Sequence, residues 1–196
     1  MNVLVIYSHP YAKSFNHALK DSVEKSFKSC GCDVRIRDLY ADGFNPILSA
    51  DDLAGIRQGK SSSDIQKEQE QIVWSNTIVV IHPIWWTGLP AMMKGYIDRV
   101  FSFGFAYTYE NGEPKGLLTG KKVFIINTTG APYDYYAQIG MHEAIKRTSD
   151  EGIYGFCGLE VVGHMFLGAV PAVTDDVRKR YLADVEKKIK DYFSQS

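Results

Sequence analysis

Five short runs of apolar and β-branched residues punctuate the chain: N-V-L-V-I-Y (2 to 7), D-V-R-I-R-D-L (33 to 39), T-I-V-V-I-H (77 to 82), K-V-F-I-I-N (122 to 127) and L-E-V-V-G-H-M-F (159 to 166). Runs of this length, bounded by polar and glycine-containing segments, predict strands. Three of them are almost wholly apolar, which predicts burial on both faces of a sheet. Between the strands the apolar period lengthens. Phe15, Ala18, Leu19, Val23 and Phe27 fall on one face of a helix from Phe15 to Ser29, with Ser14 placed to cap it. Further helices are expected over about 63–74, 91–101, 135–149 and 174–193. Five strands alternating with five helices predict an α/β fold, a doubly wound parallel sheet with helices on both faces. The segment 43–63, with Asn45-Pro46 and three consecutive serines, reads as a surface excursion. Nothing in the pattern marks a domain boundary, so residues 1–196 are expected to form a single domain.

Composition narrows the partners. A chain of 196 residues is long enough to bury about 70% of its unfolded surface in one core. The 22 Lys and Arg nearly balance 23 Asp and Glu, so no basic field points to nucleic acid or to an anionic membrane. Cys30, Cys32 and Cys157 are odd in number, and the first two lack the two-residue spacer of a redox or zinc pair; all three are read as reduced and structural. No apolar run approaches the ~20 residues of a membrane span, and the amino terminus has no basic n-region. A cytoplasmic protein without membrane insertion is expected.

Three loops at strand carboxyl ends carry unusual chemistry. The first, S-H-P-Y-A-K-S-F-N from Ser8 to Asn16, brings hydroxyls, the His9 imidazole, the Asn16 amide and backbone N–H groups to a helix start, a combination suited to phosphate. Neither a G-x-x-x-x-G-K loop nor a G-x-G-x-x-G fingerprint is present. The second, P-I-W-W-T-G from Pro83 to Gly88, puts Trp85 and Trp86 where open α/β sheets bind ligands, pointing to a flat conjugated molecule. The third, T-T-G-A from Thr128 to Ala131, can present N–H donors to the edge of a heteroaromatic ring. A phosphate loop after the first strand and two ring-contacting loops after the third and fourth describe a flavin site in a flavodoxin-like five-stranded sheet of order 2-1-3-4-5.

The motifs H-P-Y-A-K-S-F-N, D-L-Y-A-D-G-F-N-P-I-L-S, H-P-I-W-W-T-G-L-P-A-M-M-K-G-Y-I-D-R-V-F, F-A-Y-T-Y and T-T-G followed by Tyr136 and His142 span nearly the whole chain. In these the chain resembles the flavodoxin-like NAD(P)H:quinone oxidoreductases. The resemblance implies that His9, Ser14, Phe15 and Asn16 hold the flavin phosphates. It also implies that Pro83, Ile84, Trp85, Trp86 and Thr87 lie along the isoalloxazine ring, and that Thr128, Thr129, Gly130 and Ala131 face its pyrimidine side. Ala131 departs from the glycine usual there, and Trp85 stands where some relatives carry glutamine. Arg178 and Leu182 fall where the larger quinone reductases contact adenine, which makes FAD the first choice of cofactor and FMN the alternative.

The same resemblance implies an enzyme in which NAD(P)H reduces the flavin and the flavin reduces a quinone, an azo or nitro compound, or another small acceptor in one pocket. Tyr136 and His142 would sit beside the ring as proton or charge relays, and Tyr136 would also contact the cofactor. Trp86, Tyr107, Tyr109 and His142 would line the substrate pocket, the two tyrosines reaching a neighbour's site in a homodimer with its sites at the interface. An exposed strip of aromatics from Phe101 to Tyr109 fits that arrangement. His17 and His164 have no partner at metal-ligand spacing, and His82, in a strand beside a proline, is read as structural; no metal site is expected. Two other classes stay open: a flavodoxin-type electron carrier, against which the near-neutral charge argues, and a regulatory ancillary flavoprotein of a potassium-efflux system.

Overall fold

The computed structural model describes residues 1–194. Five parallel strands, β1 (Asn2–Tyr7), β2 (Asp33–Asp38), β3 (Thr77–Pro83), β6 (Lys122–Thr128) and β7 (Glu160–Leu167), form one sheet in the order β2-β1-β3-β6-β7. Renumbered without the small hairpin that intervenes, this is the expected order 2-1-3-4-5. The period-2 alternation of the central strands divides the core in two. Leu4, Ile6, Ile78, Val80, Val123 and Ile125 pack on one face, whereas Val3, Val5, Val79, Ile81, Phe124 and Ile126 pack on the other. Successive strand side chains point to opposite faces, so a run that is apolar throughout must be covered twice.

Helices α1 (Phe15–Ser29) and α7 (Asp175–Ser194) cover the second face, where Leu19, Val23, Val185 and Ile189 are buried. The first face is covered by α3 (Ser63–Trp74) and α4 (Ala91–Val100), which bury Ile65, Ile72, Met93 and Tyr96 against it. Ser14 caps α1 by accepting a hydrogen bond from the His17 N–H at 3.2 Å.

Three parts of the chain differ from the sequence expectation. The excursion 43–63 contains a helix, α2 (Ala50–Arg57), opened by a reciprocal capping box between Ser49 and Asp52. It is fastened to α4 by Arg99, which is 5% exposed and donates to both carboxylate oxygens of Asp52 (3.0 and 3.1 Å), to Asp64 and to the Asn45 carbonyl. Gly95 allows the close approach, since a Cβ there would meet the Pro46 carbonyl oxygen at 2.1 Å. Next, residues 107–116 form an antiparallel hairpin, β4 (Tyr107–Glu110) and β5 (Glu113–Gly116). Finally, the single helix expected over 135–149 is three pieces: α5 (Tyr133–Gln138), α6 (Met141–Lys146) and a π-helix (Arg147–Gly155). Gly140, with φ of 72°, breaks the first from the second. In the π-helix the wider turn brings backbone close to Gly152 and Gly155, where a Cβ would lie 3.1 and 2.9 Å from carbonyl oxygens.

Candidate active site

The loops at the carboxyl ends of β1, β3, β6 and β7 enclose a concavity of about 670 Å³. That volume is within the ~300–1,000 Å³ typical of small-molecule and cofactor pockets. Its wall includes His9, Ser14, Phe15, Asn16, Pro83, Ile84, Trp85, Trp86, Thr128, Thr129, Gly130 and Arg178, so twelve residues singled out from four separated segments of sequence meet in one place. Sheet topology explains the convergence. Parallel strands send all their carboxyl ends to one edge, and β1, β3 and β6 are neighbours there.

The β1–α1 loop supplies the polar side. Asn16 is buried at 4% exposure, donating from Nδ2 to the Thr128 hydroxyl at 2.8 Å, while its Oδ1 has no partner. A half turn of the amide would let Oδ1 accept from Thr128 and free both N–H groups for a ligand. The Ser14 hydroxyl is 3.4 Å from the Tyr7 hydroxyl as well as capping α1. His9 accepts from the Tyr11 N–H at 3.1 Å, and burial lowers its pKa below the ordinary histidine value, which favours the neutral ring. Ser8 departs from the sequence reading: it is fully buried behind the loop and does not line the concavity.

The β3–α4 loop supplies a flat apolar wall. Trp85 and Gly88 exchange two backbone hydrogen bonds of 3.1 Å, closing a two-residue turn in which Trp86 has φ of 50° and Thr87 φ of 59°. Positive φ at both central positions is the pattern of a type I′ turn, normally filled by Asn-Gly. For a β-branched residue such as Thr87 it is strained, at a cost on the order of 1–3 kcal/mol, and strain of this kind gathers at ligand-binding positions. The turn leaves Trp86 fully exposed and Trp85 42% exposed, with the Trp85 ring 5.8 Å from His9. The Thr87 hydroxyl turns back to the Trp86 carbonyl at 2.7 Å and lies outside the wall of the concavity.

The β6–α5 loop is pinned by Thr129, which donates from its N–H to the Leu167 carbonyl at 3.0 Å and from its hydroxyl to the Ala131 carbonyl at 2.8 Å. Ala131 has no positive φ, so its methyl brings no backbone strain, and the space around Gly130 is open for 4 Å. Val170 and Pro171, after β7, complete the wall together with Tyr11. Sequence reasoning missed these three; the Gly168–Pro171 turn at the fifth strand's end, and the tyrosine inside the first loop, were the available signals. Arg178 reaches the concavity, yet its guanidinium also donates to the Val170 carbonyl at 3.0 and 3.2 Å and to Asp175 at 2.6 Å. Leu182 packs into the core beneath it.

The remaining predicted residues lie elsewhere in the single chain. Tyr136 packs on the small cluster of Ile84, Ile145 and Phe166, and Ile84 is the member that reaches the cofactor-sized concavity. His142 is 5% exposed, stacks on Phe166 at 4.3 Å and faces a neighbouring concavity of about 380 Å³ with Tyr133 and Lys146. Its Nε2 is buried without a partner, and its pKa is lowered by burial and then by the positive charges of Lys146 and His164. Tyr107 and Tyr109 line a third concavity beside Phe156, and Phe103 stacks on Tyr109, leaving an exposed aromatic patch. His82 is buried with its pKa lowered by burial to about 4, and it bonds the Asn127 side chain. Among the described residues no group of His, Cys, Asp and Glu could hold a metal ion, and no helix is long and apolar enough to cross a membrane.

Known proteins share this fold. Residues 1–189 match the flavodoxin-like fold family. The chain is 38% identical over 180 residues to a Haemophilus influenzae protein described as an uncharacterized NAD(P)H oxidoreductase, covering 91% of this chain and 89% of that one. It is 30% identical over 213 residues to NAD(P)H dehydrogenase [quinone] 1 of Rattus norvegicus, covering 98% of this chain and 78% of the relative. The solved NAD(P)H:quinone oxidoreductase of Methanothermobacter marburgensis superposes with a TM-score of 0.87 at 25% identity, covering 98% and 96% of the two chains.

Proposed function

This chain belongs to the flavodoxin-like NAD(P)H oxidoreductase family, and from that premise we propose that it is a flavin-dependent NAD(P)H:quinone oxidoreductase whose cofactor lies in the concavity of β1, β3, β6 and β7. One observation carries the reading: a buried amide with an unpartnered oxygen, two exposed indoles on a strained turn and open backbone at Gly130 share a single cofactor-sized wall. Polar groups at a helix start suit a phosphate, and flat apolar groups suit a tricyclic ring.

Bound there, a flavin would supply two-electron transfer, accepting hydride from the nicotinamide and passing it to the acceptor in turn. The chain's own residues bind and orient. Ser14, Asn16 and the first-turn N–H groups of α1 would hold phosphate, and the Pro83–Thr87 turn would lie along the ring. The Thr128–Ala131 loop would direct backbone donors at the edge where negative charge collects. Tyr136 offers an O–H donor, and His142, held neutral by burial, an imidazole N–H; both would stabilise that charge as proton or charge relays. Arg178 on the concavity wall supports FAD over FMN, since a guanidinium released from the Val170 carbonyl would stack on or bond to an adenine there.

The exposed aromatic patch of Phe103 and Tyr109, with Tyr107 half-buried behind it, supports a two-fold dimer that places these tyrosines at a neighbour's acceptor pocket. The test is direct. Purified protein should show flavin absorbance, release a cofactor with the mass of FAD on denaturation, and oxidise NADH or NADPH in the presence of a quinone. A colourless protein that binds neither FAD nor FMN on reconstitution would refute the reading.

A further inference from the structure

Beneath the site, outside the residues assigned to cofactor or substrate, four polar side chains from four elements form one continuous buried chain. His164 Nδ1 lies 2.9 and 3.2 Å from the two Asp150 carboxylate oxygens, and its Nε2 lies 2.7 Å from Asn127 Oδ1. Asn127 Nδ2 in turn donates to the His82 carbonyl at 3.1 Å and is 3.2 Å from His82 Nε2. His82 Nδ1 is 2.9 Å from the Pro83 carbonyl, one residue before the Pro83–Thr87 turn leaves the sheet.

Hydrogen-bond accounting constrains the protons in this chain. The Pro83 carbonyl can only accept, so His82 carries its proton on Nδ1, and the Asn127 amide nitrogen lies 3.4 and 3.2 Å from its Nδ1 and Nε2. The His82 carbonyl also only accepts, so the Asn127 NH₂ faces His82 and its oxygen faces His164; the reversed amide would set two oxygens together. Opposite an ionised Asp150, His164 therefore meets an acceptor at each ring nitrogen, an arrangement that an imidazolium satisfies in full. Asp150, whose Oδ1 lies 2.6 Å from a Ser149 hydroxyl that also has the Ile145 carbonyl at 2.9 Å, would be the counter-ion. The His164 side chain is 2% exposed and that of Asp150 13%. A pair so enclosed persists only when its hydrogen bonds are complete.

The clamped ring has a second contact. Phe166 stacks on His164 at 4.0 Å and 25°, and His142 stacks on Phe166 at 4.3 Å and 19°, so the phenyl ring is held between two imidazoles. We propose that His164 is a positioning residue: a buried imidazolium, clamped by Asp150 and Asn127, that fixes the Phe166 ring and through it the His142 imidazole. A cation against the ring face is an attractive contact, and a ring anchored at both nitrogens cannot rotate away from it. The inference rests on the reading of His142 as a relay, but its charge and stacking components do not need a cofactor.

Titratable and charged groups reach this unit from each packed element. They are Asp150 and Tyr154 from the π-helix, His82 from β3, Tyr133 and Tyr136 from α5, and His142, Glu143 and Lys146 from α6. Removing the His164 charge should therefore leave Lys146 as the remaining cation acting on His142.

The experiment is side-chain nitrogen NMR of ¹⁵N-histidine protein without flavin, followed by rapid-mixing reduction of the flavin-loaded enzyme. In the wild type at pH 7, the signals lost in His164→Gln should have the shifts of two protonated nitrogens, and Asp150→Asn should abolish that signature. The His142 titration should move to higher pH in His164→Gln. Flavin affinity in this variant should stay within about twofold, whereas reduction by NAD(P)H slows by roughly 10- to 100-fold, as for a slightly misplaced reacting group. A neutral single-proton His164 in the wild type, or an unmoved His142 titration in His164→Gln, overturns the proposal, as does an unslowed His164→Gln when His142→Gln is slow. If both nitrogen signatures hold and even His142→Gln reduces at the wild-type rate, the positioning stands and the relay role of His142 is what fails.

Discussion

Replacing Asn16 with leucine separates ligand binding from folding, because the two uses of this side chain differ in sign. In the free protein the substitution removes the 2.8 Å bond from Nδ2 to Thr128, a loss of about 1 kcal/mol. It also removes Oδ1, a buried acceptor with no partner, whose desolvation costs a comparable ~1–3 kcal/mol in the wild type. The free variant should therefore melt within a few degrees of the wild type. With a charged phosphate bound, the lost bond is worth roughly 1.5–3 kcal/mol, a weakening of about 10- to 150-fold. Take ~30-fold as the centre. At a flavin concentration 100 times the wild-type Kd, ligand stabilisation falls from about 2.7 to about 0.9 kcal/mol. A chain of this length has an unfolding entropy of about 0.4 kcal/mol/K, so the rise in Tm on adding flavin should shrink from about 7 °C to about 2 °C. Differential scanning fluorimetry at matched flavin concentrations measures both quantities. An unchanged flavin-dependent rise in the variant would show that the phosphate is not held by this loop.

Tyr136→Phe and His142→Gln should each slow flavin reduction in stopped-flow bleaching by roughly one to three orders of magnitude while leaving flavin affinity nearly unchanged, as for loss of a donor aimed at developing charge. Wild-type bleaching in both would leave that charge to backbone donors. The protein should sediment as a dimer, and alanine at Tyr107 and Tyr109 should raise the KM for bulky quinones more than it disturbs flavin binding; a fully active monomer would contradict this. Asp52 has its pKa lowered to about 2, chiefly by the hydrogen bonds from Arg99. Because the folded value lies below the unfolded one, this contribution of about 1–2 kcal/mol is present above pH 4 and is lost as pH falls toward 2. Asp52→Asn should flatten the pH dependence of urea-unfolding stability in that window; an equally steep fall in the variant would place the acid sensitivity elsewhere.

The sheet and most of the site were legible in the sequence for one reason: parallel strands buried on both faces must be apolar throughout, and their carboxyl ends must share an edge. Three unusual loops after β1, β3 and β6 therefore had to meet, and Asn16 and Thr128 do so within hydrogen-bonding distance across 112 residues. Helix α1 was equally plain, since its apolar face and its Ser14 cap are both local features. Helix α2 was not, because its short sequence buries no side chain of its own and is held by a capping box and by Arg99 from a distant helix.

Period and register show where local information ends. By alternation alone, His164 and Phe166 would fall on the face of β7 opposite Val161, beside α1 and α7. A β-bulge shifts the β6–β7 register, pairing Val123 with Val161 but Phe124 with Gly163, and Gly163 makes room for a phenyl ring that would lie 2.6 Å from a Cβ. One extra residue reverses the parity of everything after it. His164 thereby joins His82 and Asn127 on the first face, where the π-helix delivers Asp150. Which segments become strands and which loops share an edge follows from local period and from parallel topology. Which way the last strand faces does not, since it turns on a bulge at Val123/Phe124 and on a phenyl ring that only a glycine opposite can admit.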